Sequence, residues 1–271
     1  MSSGVRLVIS FFSGIFFHMK LKRSFLFPLT TLLTIILLTS DAFWFQTMVL
    51  SLLAVSFWLT TTVLGIFSIR MNFFIKSVNT IGRNRKEVLL TFDDGPDPVN
   101  TERILKILRA RKIKAVFFVI GEKADKSREL IKKISDEGHE IGCHSQSHDW
   151  FINFLIGKRL NAEIENGCSV IKEVTGSRPR LYRPPVGLTN PHLFSSLSRS
   201  DLVSMGWSFR SYDTKRQNKK KMLKRLEKLK NGTILLFHDG HTNSGYTADI
   251  LEEIIGEIIR QGFRFALPDS V

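Results

Sequence analysis

Four times between residues 88 and 239, a short strand-like run stops abruptly at polar residues, among them adjacent carboxylates, imidazoles and an arginine. Val88-Leu89-Leu90 leads into Thr91-Phe92-Asp93-Asp94-Gly95-Pro96, and Glu140-Ile141-Gly142 leads into His144-Ser145-Gln146-Ser147-His148. Leu181-Tyr182 leads into Arg183-Pro184-Pro185-Val186-Gly187, and Leu235-Leu236-Phe237 into His238-Asp239. Buried strands of parallel sheets read as near-continuous apolar runs. α/β enzymes place their chemistry at the C-terminal ends of such strands. A single run ending in Asp-Gly-Pro is also what an ordinary turn looks like, and a lone His-x-x-x-His is a weak sign. The pattern repeated at four strand ends constrains the chain far more than any one of them.

Helical periodicity fills the intervals. Residues 102–111 place Ile104, Leu105, Ile107 and Leu108 on one face, and 124–137 do the same with Leu130, Ile131 and Ile134 before the stop at Gly138. Residues 160–174, closed by Gly176, and 246–260 are further amphipathic helices, and 113–120, 202–205, 234–237 and 263–265 are further strands. Strands alternating with helices predict an α/β fold with a parallel sheet. At its strand ends, the adjacent carboxylates of Asp93 and Asp94 resist joint ionisation unless a cation or basic group offsets them. Two imidazoles and one carboxylate make a three-ligand centre with a position open for water, the plan of a hydrolytic metal site.

These motifs, in this order, resemble the polysaccharide deacetylases of carbohydrate esterase family 4, over about residues 86 to 267. The resemblance implies a distorted, incomplete (β/α) barrel that removes N- or O-acetyl groups from sugars. It implies Asp93 as catalytic base, and Asp94, His144 and His148 as ligands of a divalent metal, zinc by expectation, with cobalt, nickel or manganese as alternatives. It implies that Arg183 orients the base, that His238 is the general acid, and that Leu236 walls the acetyl pocket. Pro185, Val186 and Trp207 are the other substrate-facing candidates, the backbone amide of Val186 serving the oxyanion. Three positions depart from the family pattern: Val186 replaces a frequent aromatic, Arg210 stands where an Asp often pairs with the histidine, and Thr214 replaces a Trp. Asp213 remains as the candidate to orient His238. His139 and His241 are set aside, one because it precedes its strand and the other because it lies beyond the motif.

The N-terminal quarter is different in kind. Residues 25–38 and 42–69 are almost wholly apolar, with Asp41 the only charge between them. A helical span needs roughly 20 apolar residues, so the expectation is a transmembrane hairpin of helices at about 24–40 and 44–69, with residues 5–17 as a shorter apolar run. A basic linker over 70–86 and a catalytic domain over 87–271 follow. Lys20, Lys22 and Arg23 precede the first span, and Arg70, Lys76, Arg83, Arg85 and Lys86 follow the second. The positive-inside rule then places both flanks, and the catalytic domain, in the cytoplasm. A third span, or only one of the two, reverses that side.

The formal net charge is +14. Residues 1–69 hold four basic residues and one acidic, so +3 belongs there and +11 to the remainder. Much of the excess lies between Lys219 and Lys230, where Met222, Leu223, Leu226 and Leu229 form the apolar face of a basic amphipathic helix. Such a helix is an ordinary solvated face or an approach surface for anionic headgroups. No nucleic-acid motif accompanies the charge, and none is expected as a partner. Cys143 and Cys168 form no Cys-x-x-Cys pair. The expectation is an integral protein of a bacterial envelope that deacetylates an envelope glycan or a lipid-linked sugar. The alternative is a catalytically weak carbohydrate-binding relative.

Overall fold

The computed structural model describes residues 31–32, 35, 44–82, 84–215, 219–241 and 244–268. The chain divides into two compact units, Met1–Val63 and Leu64–Val271. The helix α1 (Trp44–Phe67) spans the boundary. Within it, residues 46–67 have mean hydropathy 2.0, and among the described residues this is the one helix long and apolar enough to cross a membrane. At a rise of about 1.5 Å per residue its length matches a bilayer core of about 30 Å. The expected first span at 24–40 lies outside the described residues apart from 31, 32 and 35, and so does the run at 5–17.

Among the described residues, the second unit is built on a sheet of nine strands. They are β1 (Ser77–Val78), β2 (Glu87–Gly95), β3 (Val116–Val119), β4 (Glu140–Cys143), β5 (Leu181–Tyr182), β6 (Val203–Met205), β7 (Phe209–Arg210), β8 (Thr233–His238) and β9 (Arg264–Phe265). Their order is β1-β6-β5-β4-β3-β2-β8-β7, with β9 also on β2, and every pairing is parallel. The sheet curls without closing, which is the incomplete barrel expected. Its helices are α2 (Asn100–Ala110), α3 (Gly121–Lys126), α4 (Arg128–Asp136), α5 (Gly157–Thr175), α6 (Leu193–Arg199), α7 (Lys219–Leu226) and α8 (Ser244–Arg260). The single helix expected over 124–137 is two, broken at Ser127 (φ −132°, ψ 44°). The α5 helix ends as expected, with Gly176 at φ +76° and its N–H on the Lys172 carbonyl.

Strand parity decides which side chains reach the site. In β2, Val88, Leu90 and Phe92 pack with Phe117, Val119, Leu235 and Phe237 in the layer shared with the helices. Leu89 points the other way and joins Val116, Phe118, Leu181, Ile234, Leu236 and Trp207 inside the curl. Side chains alternate with a period of two, so Thr91 and Asp93 follow Leu89 inward and His238 follows Leu236. Asp93 stands opposite both Phe118 and His238 in register.

Part of the expected linker belongs to the sheet. Ser77 and Val78 pair with Ser204 and Met205 of β6, and Ile69, Ile75 and Ile81 are buried. The last turn of α1 is also held: Thr189 donates its N–H to the Ile66 carbonyl (2.9 Å) and its hydroxyl to the Gly65 carbonyl (2.8 Å). Burial of the isoleucines rewards ordering of a segment whose charge alone suggested a solvated tether.

Candidate active site

Adjacent strand residues normally point to opposite faces, yet Asp93 and Asp94 must share one site. The register of β2 against β3 shifts between Asp93 and Gly95, and Asp94 lies at φ +71°. This bulge turns the second carboxylate back toward the rim. Gly95 is required next to it, because a Cβ there would sit 2.2 Å from the Asp239 carboxylate.

Asp94, His144 and His148 converge, with their ligand atoms all within 4.8 Å of one another. Oδ1 of Asp94 is 3.3 Å from Nε2 of His144 and 3.2 Å from Nε2 of His148. The histidines lie on a loop, not a helix: Ser145 and His148 both have positive φ, and the Ser145 hydroxyl accepts the His148 N–H. Glu163 of α5 accepts the Ser147 N–H at 3.0 Å and steadies that loop.

Nδ1 of His144 is 2.7 Å from the Arg183 carbonyl. A carbonyl only accepts, so Nδ1 donates to it and Nε2 is the ring nitrogen directed at Asp94. Burial, and then the neighbouring His144, hold His148 down to about 4. Burial pushes the Asp94 carboxyl up, but the bond and charge of His144, with His238 and His148, outweigh it and keep that group well below the usual range. A carboxylate and two imidazole nitrogens thus face one point. Ligand atoms about 2.1 Å from a tetrahedral ion stand roughly 3.4 Å apart, so the donor set and its spacing fit a divalent metal.

Arg183 is fully buried with every arm engaged. Its Nη1 donates to Asp93 Oδ1 (2.6 Å) and Thr91 Oγ1 (2.8 Å), Nη2 to the Gly206 carbonyl (2.8 Å) and Nε to the Met205 carbonyl (3.1 Å). Its guanidinium also stacks 4.1 Å from the Phe118 ring centroid. A buried cation needs this degree of satisfaction, and it fixes which oxygen of Asp93 remains directed at the site.

His238 is held by Asp213. Oδ1 of Asp213 is 2.8 Å from His238 Nδ1, and Oδ2 accepts the His238 backbone N–H at 2.8 Å. Ser211 and Thr247 each donate a hydroxyl to the same carboxylate at 2.6 Å. Burial alone would lower the imidazole, but the bond and charge of Asp213, with smaller help from Asp93 and Asp94, push it up to about 9. His238 is therefore an imidazolium at neutral pH, with Nδ1 spent on Asp213 and Nε2–H left to donate.

The substrate-facing candidates cluster nearby. Leu236 and Trp207 are buried in the inner layer. Trp207 packs on Gly187, whose Cβ would meet the indole at 2.2 Å. Pro185 is buried, while Val186 is exposed at φ +60°. That is a strained position for a β-branched residue, and such strain gathers at functional loops. Arg210 does not pair with His238; Asp213 does. Of the two histidines set aside, His139 is buried beside Phe117, where its Nδ1 accepts the Ala115 N–H. The His241 ring lies 6.4 Å from that of His238.

Four supporting residues escaped the sequence reading. Thr91 and Thr247 complete the shells of Arg183 and Asp213, and the parity of β2 was the available sign for Thr91. Lys123 donates to the carbonyls of both Asp94 and Gly240 at 2.8 Å, tying the loops that follow β2 and β8 together. Asp239 accepts the Thr101 hydroxyl at 2.5 Å, and burial pushes its carboxyl up to about 7.

A model of the polysaccharide deacetylase family matches residues 80–205. A peptidoglycan-N-acetylglucosamine deacetylase of Bacillus cereus is 32% identical over 188 residues, covering 68% of this chain and 87% of that protein. The structure of peptidoglycan deacetylase PdaC from Bacillus subtilis superposes with TM-score 0.60 at 33% identity, covering 68% of this chain and 89% of that one. This chain spans 38% of the length of full PdaC. A mutant of BA3943, a CE4 pseudoenzyme with restored activity, aligns with TM-score 0.64 at 26% identity, covering 70% of this chain and 68% of that one. The chain therefore belongs to the polysaccharide deacetylase family, as a hydrolase of N-acetyl groups.

Proposed function

We propose that this protein is a membrane-anchored, divalent-metal-dependent deacetylase of an envelope glycan or lipid-linked sugar. The observation that carries the reading is the meeting, on one rim of strand ends, of a three-ligand cluster, an arginine-held carboxylate and a carboxylate-backed imidazolium. A divalent ion held by Asp94, His144 and His148 supplies Lewis acidity and lowers the pKa of water. Zinc suits the imidazole and carboxylate donors. Asp93, oriented by Arg183, accepts the proton of the attacking water. The Val186 backbone amide donates to the developing oxyanion. Leu236 and Trp207 enclose the acetyl methyl, with Pro185 holding the loop. His238 gives its Nε2 proton to the leaving amine, which would otherwise depart poorly.

The anchor rests on the length and mean hydropathy of α1. A domain that follows such a helix directly in the chain meets a substrate presented at the bilayer: peptidoglycan strands, a lipid-linked acetylated sugar or a lipopolysaccharide sugar. Two of the three similar proteins named above are peptidoglycan deacetylases, which favours a glycan of that kind. The test is acetate release from acetylated saccharides by purified full-length protein, before and after chelation and metal restoration. Metal-independent release, or none from any acetylated sugar, would overturn the proposal.

A further inference from the structure

We infer that Arg210 forms a cationic subsite beside the acetyl pocket and receives an oxyanion, carboxylate or phosphate, carried by the acetylated saccharide. This deepens the deacetylase reading and rests on it for the placement of the sugar. The argument starts from strand parity. Phe209 of β7 packs with the helix-side layer, so Arg210 points into the curl. It stands opposite Leu236 in register, the residue two positions before His238. Its guanidinium lies 5.8 Å from the Trp207 ring centroid and 5.3 Å from that of Tyr212. Trp207 is the same indole that packs on Gly187 and approaches Arg183 at 5.8 Å. Tyr212 immediately precedes Asp213, which holds the acid. The cation thus lies over the indole that Arg183 also faces and over the ring of the residue next to Asp213.

Second, the cation is prepared and left unused. Among the described residues, the Arg210 guanidinium has neither a carboxylate partner nor a hydrogen-bond acceptor. An unpaired exposed arginine is unremarkable in a basic chain, but an ordinary one is not stacked on two aromatic rings. Stacking limits its rotamers, so less freedom is lost when it binds. Arg225 supports the arrangement. It donates to the carbonyls of Arg210 (2.5 Å) and Ser211 (3.3 Å) and stacks on Phe209 (4.8 Å) and Tyr212 (4.9 Å). Tyr212, half-exposed, is held at φ +59°, a costly conformation for a bulky residue. Two guanidinium groups flanking one strained tyrosine, with no acid between them, make a local positive field at the mouth. A guanidinium matches a carboxylate or phosphate in a bidentate manner.

The experiment compares three probes on the full-length enzyme: a neutral N-acetylglucosamine oligomer, a saccharide bearing the lactyl carboxylate of N-acetylmuramic acid, and N-acetylglucosamine 1-phosphate. For Arg210→Gln, KM for an anionic probe should rise about tenfold more than KM for the neutral one, the loss of one charge-assisted contact. Arg210→Lys should restore part of the difference, and added salt should erase it in wild type only. Preference for one anionic probe over the other tells carboxylate from phosphate. Equal changes on all three probes would overturn the subsite. Equilibrium binding of the same probes to Asp93→Asn and to Asp93→Asn/Arg210→Gln gives a readout without turnover. If wild type releases no acetate while binding still depends on Arg210, the deacetylase reading fails and the subsite stands. If affinity is the same with and without Arg210, the subsite fails.

Discussion

Replacing Asp213 with Asn tests the acid side of the site with little change of shape. In the protein, Asp213 accepts His238 Nδ1–H, the His238 backbone N–H and the hydroxyls of Ser211 and Thr247. The amide keeps the volume but loses the charge, and its NH2 faces donors that need an acceptor. His238 is pushed from an ordinary 6.5 to about 9 against the pull of burial, chiefly by the Asp213 bond and charge. That difference corresponds to about 3 kcal/mol of preference for the imidazolium. Without the carboxylate, burial prevails and the imidazole should titrate below 6.5. The alkaline limb of the pH–rate profile should therefore move down by about two pH units or more. Stability gives an independent check. A folded-state value raised above the unfolded one contributes stability that is complete below 6.5 and fades as pH rises through about 9. Wild type should thus exceed Asp213→Asn in denaturant stability most below pH 6.5, and the gap should narrow toward pH 9. An alkaline limb that stays in place, or a stability gap that widens with pH, would refute the reasoning.

The remaining predictions concern the metal, the base and the anchor. Replacing His144 or His148 with Ala should remove most bound metal, measured by elemental analysis, because three protein ligands are the minimum for such a centre; stoichiometric metal in the double variant would contradict the ligand set. Asp93→Asn should lower turnover by at least about a hundredfold with metal retained, whereas Asp94→Asn should weaken metal binding itself; equal metal loss in both would undo the division of roles. The full-length protein should stay in the membrane fraction through salt and carbonate washing, since a spanning helix does not depend on charge; its release would mark a peripheral protein.

Local chemistry made much of this protein readable without coordinates. Apolar runs bounded by turn residues located the strands, and residue type at their ends marked the candidate metal-binding and titratable groups, to which the family resemblance lent their proposed roles, because burial preference and donor chemistry belong to individual residues. Gly138 and Gly176 ended their helices for the same reason: both lie at φ +76°, where glycine has no Cβ to clash. Other features depend on atoms distant in sequence. The bulge that turns Asp94 to the side of Asp93 is a matter of register between β2 and β3. The pairing of Asp213 with His238, despite Arg210 in the neighbouring motif position, follows from where β8 delivers the histidine. Ser77 and Val78 read as part of a charged linker, yet β6 offers them an open edge and the isoleucines around them find a core. Lys123 carries no local sign of its task, since the two carbonyls it joins, of Asp94 and Gly240, lie 146 positions apart in the chain. Sequence determined which groups were available for the chemistry; only the curl of the sheet, by bringing strand ends from across the chain to one rim, decided which of them meet and at what charge.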